Sequence, residues 1–150
     1  MTSTMTGFLV DTNILVYAYD RSEVVKKARA RDALDWLESN DAGVLSTQVL
    51  GEFFTSVTRK LVYRLSAIEG QRSVQRYLNT WRVVPVTSAV VLEATRGSVA
   101  YQMSYWDAQI WATAKLNQIP VVLSEDLGGR RPIDGVAFAN PFATKIPGEE

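Results

Sequence analysis

The sequence contains neither cysteine nor histidine. Without cysteine, the chain has no disulfide bond, no thiolate nucleophile and no zinc–thiolate site. Without histidine, it lacks the most common general base and the most common ligand of transition metals. A catalytic site would therefore have to use carboxylates, hydroxyl groups, lysine or tyrosine. A hard cation with oxygen ligands is the activating agent that fits this composition.

The sequence also lacks long apolar runs and an excess of charge of either sign. No apolar stretch approaches the roughly 20 residues of a membrane span, and residues 1–6 have neither the basic start nor the apolar centre of a signal peptide. We therefore expect a cytoplasmic protein without a membrane partner. Lys and Arg (16) balance Asp and Glu (16), so nucleic acid would have to be bound by local basic patches.

Length and composition indicate one globular domain. The 150 residues are 47% hydrophobic and 21% charged, which are ordinary values for a chain that buries a core. We expect residues 1–150 to form a single domain with loose ends at 1–6 and 143–150.

Short apolar segments alternate along the chain with segments of helical periodicity. The expected strands are 7–10, 43–46, 82–86, 120–124 and 135–138, and the expected helices are 14–19, 22–40, 47–61, 66–81, 87–100 and 104–118. This alternation predicts an α/β fold, a three-layer α/β/α sandwich in which helices cover both faces of a parallel sheet. Pro85 favours an edge position or a strand end for the third strand, because proline cannot donate a ladder hydrogen bond.

Hydroxyl residues mark the starts of five of these helices. The predicted N-caps are Ser22, Thr47, Ser66, Thr87 and Ser104, and Glu69 completes a capping box with Ser66. The expected buried face of the helix over 22–40 consists of Val25, Ala28, Ala33, Leu34, Trp36 and Leu37.

Acidic residues lie at the ends of several elements, and each has a local explanation beside a chemical one. Asp11 ends the first strand at the edge where open α/β sheets bind ligands, but an Asp there is also a favoured helix N-cap. Asp107 shares a helix face with Ile110 and Trp111, so it points inward and needs a partner. It could also form a capping pair with Ser104.

Two further acids are less distinctive by themselves. Glu52 lies one turn into its helix, where a negative charge is favourable in any case. Asp126 follows a buried strand in a segment that could form a simple turn, and the pattern does not decide whether Glu125 or Asp126 points inward. Acids at the carboxyl ends of parallel strands would gather with Asp11 at one edge. Adjacent carboxylates repel one another unless a cation such as Mg²⁺ or Mn²⁺ intervenes.

Five short segments together resemble one known family. They are residues 9–13, 48–53, 104–108, 123–127, and 133–136 with 140–142. In this order and spacing they are similar to the PIN-domain family, most of all to its VapC-type ribonuclease toxins. The resemblance covers roughly residues 7–142.

The resemblance implies a fold, a site and an activity. It implies a sheet of five parallel strands between helices, and Mg²⁺ or Mn²⁺ held by Asp11, Glu52, Asp107 and Asp126. The positions expected to support these acids are Thr12, Asn13 and Ser124. The implied activity is endonucleolytic cleavage of RNA, often tRNA or ribosomal RNA, by the toxin of a toxin–antitoxin pair. The family further implies a homodimer and a protein antitoxin that inserts a tail into the groove of the active site.

Residues that would bind the substrate are harder to predict. Arg130 and Arg131 could grip phosphate beside the site or could be solvated. Residues 59–82 carry six basic side chains against one acid, which fits phosphate contacts and equally an ordinary exposed helix face. Trp106 and Trp111 could stack on single-stranded RNA or belong to the core.

Two other functions fit parts of the pattern. A phosphatase of the haloacid-dehalogenase type also places an Asp after a strand, but it usually needs a second acid two residues on, where this chain has Asn13. The chain could also be a catalytically silent module that binds a protein tail in the same groove.

Overall fold

The computed structural model describes residues 7–150, and the five predicted strands form its central sheet. The strands are β1 (Phe8–Val10), β2 (Gly43–Ser46), β3 (Arg82–Val84), β4 (Val121–Leu123) and β5 (Ala137–Ala139). They pair in parallel in the order β3-β2-β1-β4-β5. The edge prediction for the third strand is confirmed, because β3 is an outer strand and ends one residue before Pro85.

Six helices connect and cover these strands. They are α1 (Thr12–Tyr17), α2 (Val24–Ser39), α3 (Thr47–Arg59), α4 (Ala67–Thr80), α5 (Ser88–Tyr101) and α6 (Tyr105–Leu116). The helices form two packed groups, since α1 contacts α2 and α3, α3 contacts α4, and α5 packs along α6. The predicted three-layer α/β/α architecture is thus confirmed. None of the helices in residues 7–150 combines the length and apolar character that a membrane span requires.

Three of the five predicted N-caps are confirmed. Ser66 and Glu69 form a complete capping box at the start of α4. The hydroxyl groups of Thr87 and Ser104 accept backbone N–H bonds at the starts of α5 and α6. Local sequence was sufficient at these helices because a cap contacts only its own first turn.

The other two predicted N-caps are wrong by one residue. Ser46, the last residue of β2, caps α3 by accepting a hydrogen bond from Val49 N at 3.2 Å, so Thr47 is the first helical residue instead. The N-cap of α2 is Glu23, and its side chain makes no capping bond. Ser22 instead donates from its hydroxyl to Asp20 at 2.6 Å.

The predicted buried face of α2 is correct only in its second half. Ala33, Leu34 and Leu37 are buried and Trp36 is half-buried, but Val25 is 81% exposed and Ala28 is also exposed. The buried positions recur at intervals of three and four residues, which places them on one side of the helix. Val25 and Ala28 lie on the opposite side, so their apolar character did not reflect burial.

Two residues of the expected loose end at 143–150, Ile146 and Glu149, contact the rest of the domain, whereas the other six are exposed. Ile146 is buried, and the Arg29 guanidinium donates to both carboxylate oxygens of Glu149, at 2.7 and 2.8 Å. Arg29 also donates to the Pro141 carbonyl at 2.7 Å. These contacts join residues more than 100 positions apart, so the local polarity of the segment could not indicate them. Residues 1–6, the other expected loose end, lie outside the described residues.

The strand order creates a crevice between β1 and β4. From β1 the chain proceeds to β2 and β3 on one side of the sheet, and β4 and β5 lie on the other side. In open parallel sheets, the point where the order reverses is the place where ligands bind, beyond the carboxyl ends of the strands. Asp11 follows β1 and Ser124 follows β4 at this point.

Candidate active site

An open groove of about 480 Å³ lies at the carboxyl edge of the sheet. Its charged lining residues, which define what we call the acidic groove, are Asp11, Asp20, Glu52, Asp107, Glu125 and Asp126. The structure therefore brings all four predicted acids to one groove, although they come from four separate segments of the chain.

Asp11 lies at the floor of the groove, where only 7% of the residue is exposed. It is the N-cap of α1 and accepts a hydrogen bond from Thr12 N at 2.8 Å. Its other carboxylate oxygen accepts from the Ser124 hydroxyl at 2.7 Å and from the Asn13 amide at 3.4 Å. The capping interpretation is thus correct, and it leaves the carboxylate facing the groove.

Burial makes the charge on Asp11 costly. Loss of solvent raises the pKa of Asp11 from 3.8 to about 6, although the hydrogen bonds from Ser124 and Thr12 oppose this change. The negative charges of Asp107 and Glu52 raise the pKa further. A carboxylate in this position would be stabilised by a positive charge in the groove.

Asn13 and Ser124 connect the acids on neighbouring strands. The Asn13 amide donates to the Asp126 carboxylate and the Ser124 hydroxyl, each at 3.4 Å, and its carbonyl accepts from Glu125 N at 3.1 Å. Ser124 is fully buried, and its hydroxyl also accepts from Leu127 N at 3.1 Å. The Asn13 side chain therefore connects the segments that follow β1 and β4 through hydrogen bonds.

Glu52 and Asp107 reach the groove from two helices. Glu52, on α3, is exposed and accepts a hydrogen bond from the Thr12 hydroxyl at 2.7 Å. Asp107 lies in the first turn of α6, and its backbone N–H donates to the capping hydroxyl of Ser104 at 3.2 Å. Asp107 is half-buried, so the local capping role and the position in the groove coexist.

The sequence pattern did not decide between Glu125 and Asp126 as the acid of the site, and the contacts of the two side chains differ. Glu125 accepts a hydrogen bond from the Tyr17 hydroxyl at 2.8 Å and forms an ion pair with Lys26 at 2.6 Å. Its charge is thus already balanced by a lysine of α2. Asp126 is exposed and accepts a hydrogen bond from the Asn13 amide.

Some groove residues were not predicted, and two predicted ones lie elsewhere. Tyr17, Asp20 and Gln48 line the groove, but nothing in their local sequence indicates it. Trp106 also lines the groove, whereas Trp111 is completely buried. The proposed phosphate-binding residues Arg130 and Arg131 are exposed, and neither lines the groove.

The donor chemistry of the groove suits a hard cation. Among residues 7–150, no three acidic side chains lie close enough together to hold a metal ion as they stand. Mg²⁺, however, usually keeps several water ligands and binds through only one or two carboxylates. All charged groups that line the groove are carboxylates, which are the donors that Mg²⁺ and Mn²⁺ prefer.

Solved structures of low sequence identity share this fold. A toxin–antitoxin complex from Klebsiella pneumoniae is 18% identical, with a TM-score of 0.65 over 90% of this chain and 98% of that chain. DNA-bound VapBC from Salmonella typhimurium is 16% identical, with a TM-score of 0.66 over 91% and 99%. The sarcin–ricin-loop-cleaving toxin VapC20 of Mycobacterium tuberculosis is 20% identical, with a TM-score of 0.63 over 77% and 87%.

Sequence comparison identifies the family. The chain has no significant match among curated proteins, and the identities to the solved structures are low enough that those likenesses show the fold alone. Residues 8–131, however, match the family model described as PIN domain. This match spans most of the sequence and includes all four acids of the predicted site. The chain therefore belongs to the PIN domain family.

Proposed function

We propose that this protein is a Mg²⁺- or Mn²⁺-dependent endoribonuclease that acts through the acidic groove. The observation that carries the proposal is the meeting of Asp11, Glu52, Asp107 and Asp126 at one groove. Structural likeness to a toxin–antitoxin complex and to VapBC supports the further proposal that the chain is a toxin with a protein antitoxin. The likeness to a toxin that cleaves the sarcin–ricin loop supports RNA as the substrate, with tRNA or ribosomal RNA as the expected class.

The four acids are the residues that would hold the cation, directly or through water. A divalent cation in this groove supplies positive charge and Lewis acidity for phosphodiester hydrolysis. Asp11 provides a carboxylate that Thr12 and Ser124 keep oriented. The Thr12 hydroxyl restrains Glu52, and Asn13 restrains Asp126.

Hydrolysis of RNA in this groove would proceed by attack of water on phosphorus. The water transfers its proton to a carboxylate, the new bond to phosphorus forms, and the bond to the 3′-oxygen breaks as that oxygen takes up a proton from solvent. The products are a 5′-phosphate on one fragment and a 3′-hydroxyl on the other. No histidine is present to take the role of general base, so the proton acceptor is a carboxylate of the groove.

The structure disfavours a phosphatase that uses two aspartates. Such an enzyme needs an acid two residues after Asp11, and Asn13 there is an amide whose nitrogen donates to Asp11 and whose oxygen accepts from Glu125 N. A silent binding module would keep the groove and lack cleavage, and the experiment below distinguishes it.

The proposal is tested by incubating the protein with total RNA across a range of Mg²⁺ concentrations and in excess EDTA. Wild-type protein is expected to cut RNA only with the cation. Asp11→Asn is expected to lower the cleavage rate at least about 100-fold, since it removes a charged group that acts in the transition state. The matched control is Asp32→Asn, which removes an exposed Asp outside the groove. Undiminished cleavage in EDTA would refute the metal-dependent mechanism, and the absence of cleavage at every Mg²⁺ concentration would indicate the silent module.

A further inference from the structure

One tryptophan of the chain is exposed, and it lies at the rim of the acidic groove. Trp106 is 61% exposed and lines the groove beside Asp107. In contrast, Trp111 is fully buried and Trp81 is only 8% exposed. Large aromatic side chains normally bury most of their surface, so the free surface of Trp106 is available to a ligand of the groove.

The position of Trp106 is fixed by its neighbours. The ring of Tyr105 meets the Trp106 ring nearly at a right angle, with centroids 5.0 Å apart. The Tyr105 hydroxyl donates to Gln109 at 2.6 Å, and the buried Gln109 donates to Gln48 at 2.8 Å. Gln48 donates in turn to the Trp106 carbonyl at 3.4 Å. These hydrogen bonds link α3 to the first turn of α6. A surface ordered in this way loses little entropy when a ligand binds.

The charges of the groove limit how RNA could be held near the cut. Every charged side chain among the described residues that line the groove is a carboxylate. The nearby Lys26 is already paired with Glu125. Among the described residues, the groove wall therefore offers no arginine or lysine side chain to bind the phosphates of RNA. Apart from the proposed cation, contacts with the bases are therefore the remaining source of affinity close to the cut.

We propose that Trp106 is a stacking platform for one unpaired nucleobase adjacent to the scissile phosphate. This inference rests on the proposed ribonuclease function. Every base has an aromatic face that can stack on an indole, whereas a base within a duplex is already stacked on its neighbours. The site would therefore prefer loops and unpaired segments with little preference among bases. Loss of one such contact is expected to weaken binding about 5- to 150-fold.

A double-mutant cycle tests the stacking contact directly. The RNA is a short unpaired segment that the wild-type protein cleaves, together with versions that each lack one base. Dissociation constants are measured by fluorescence anisotropy for Asp11→Asn and for Asp11→Asn combined with Trp106→Ala. We expect Trp106→Ala to weaken binding of the intact RNA, and to have no effect on the version that lacks the stacked base. Trp106→Phe should retain most of the affinity because it keeps an aromatic face.

Two controls separate stacking from a general effect. Tyr63→Ala removes another exposed aromatic side chain, 52% exposed and outside the groove, and should leave the cycle unchanged. The midpoint of thermal unfolding of Trp106→Ala should be close to that of the wild-type protein, because the Trp106 side chain is largely exposed.

The possible outcomes distinguish this inference from the function on which it rests. If Trp106→Ala lowered the affinity equally for every RNA, or did not lower it at all, the stacking proposal would be overturned. Neither result would contradict the proposed nuclease function. A wild-type protein that neither cleaves nor binds RNA would overturn both proposals.

Discussion

Asp11 is the residue on which the candidate site depends most. It is buried at the junction of β1 and α1, and it accepts three hydrogen bonds. Even so, burial and the neighbouring acids keep its pKa at about 6. The fold therefore maintains a negative charge at an unfavourable place, which is common at functional sites.

The raised pKa predicts how stability depends on pH in metal-free buffer. Unfolded chains release the Asp11 proton near the ordinary pKa of 3.8, whereas the folded protein keeps it until about pH 6. The folded state binds more protons between these values, so the Asp11 contribution to the free energy of unfolding falls as pH rises from about 4 to about 6, then levels off. Over this pH range, the Asp11 contribution to the free energy of unfolding falls by about 3 kcal/mol at most.

Asp11→Asn removes this titration. We expect the variant and wild-type protein to have similar stability at about pH 4 and the variant to be more stable above about pH 7, by up to about 3 kcal/mol. Urea unfolding in EDTA across this pH range measures the difference. A constant difference between the two proteins at all pH values would show that burial does not disfavour the charge on Asp11.

Sequence reasoning at the residue scale found acids and their local braces, but it missed their distant partners. Asp11, Asp107 and Asp126 could be identified because each follows or begins a predicted element. The pairing of Glu125 with Lys26 spans 99 residues, and only the fold brings those residues together. The exposure of Trp106 beside the buried Trp111 likewise depends on how α6 packs.

At the scale of elements, close packing of α5 on α6 positions Asp107. Gly97 of α5 faces the ring of Trp111, and a Cβ atom at position 97 would lie 2.4 Å from Trp111 Cζ3. Trp111 has little freedom to move, since it is fully buried and its indole N–H donates to the Ile133 carbonyl at 3.1 Å. Glycine at this position therefore permits the close approach of the two helices.

Two glycine substitutions test this packing. Alanine in a helix is favoured over glycine by about 1 kcal/mol, but overpacking a core typically costs about 1–3 kcal/mol. Gly97→Ala should therefore lower the midpoint of thermal unfolding. Gly51→Ala, in α3 with no atom within 4 Å of the added Cβ, should raise it. Equal effects of the two changes would show that the space beside Trp111 is larger than the structure indicates.

The elements themselves could be predicted where their cause is local. Strand-length apolar runs and the caps at Ser66, Thr87 and Ser104 depend on neighbouring residues, and those predictions are confirmed. Val25 was predicted to be buried and is exposed, and the burial of Ile146 was not predicted. In both cases contacts with distant parts of the chain decide burial, and a local pattern contains no information on them.

At the scale of the whole molecule, topology converts four ordinary acids into one candidate site. The chain carries 16 acidic and 16 basic residues and has no net charge, yet the charged lining of the groove is entirely acidic. The reversal of strand order between β1 and β4 places this lining at the carboxyl edge. Such a concentration of like charge is destabilising unless cations occupy it, which is the physical basis of the proposed metal dependence.

The chemistry of the RNA ends left by the proposed cleavage is the most direct test of this account. Fragments of a defined RNA cleaved with Mg²⁺ are analysed by mass spectrometry, with an EDTA-treated sample as the control. Attack by water predicts a 5′-phosphate and a 3′-hydroxyl, and no fragments in EDTA. A 2′,3′-cyclic phosphate would show that the RNA 2′-hydroxyl was the nucleophile, and it would contradict metal-dependent hydrolysis in the acidic groove.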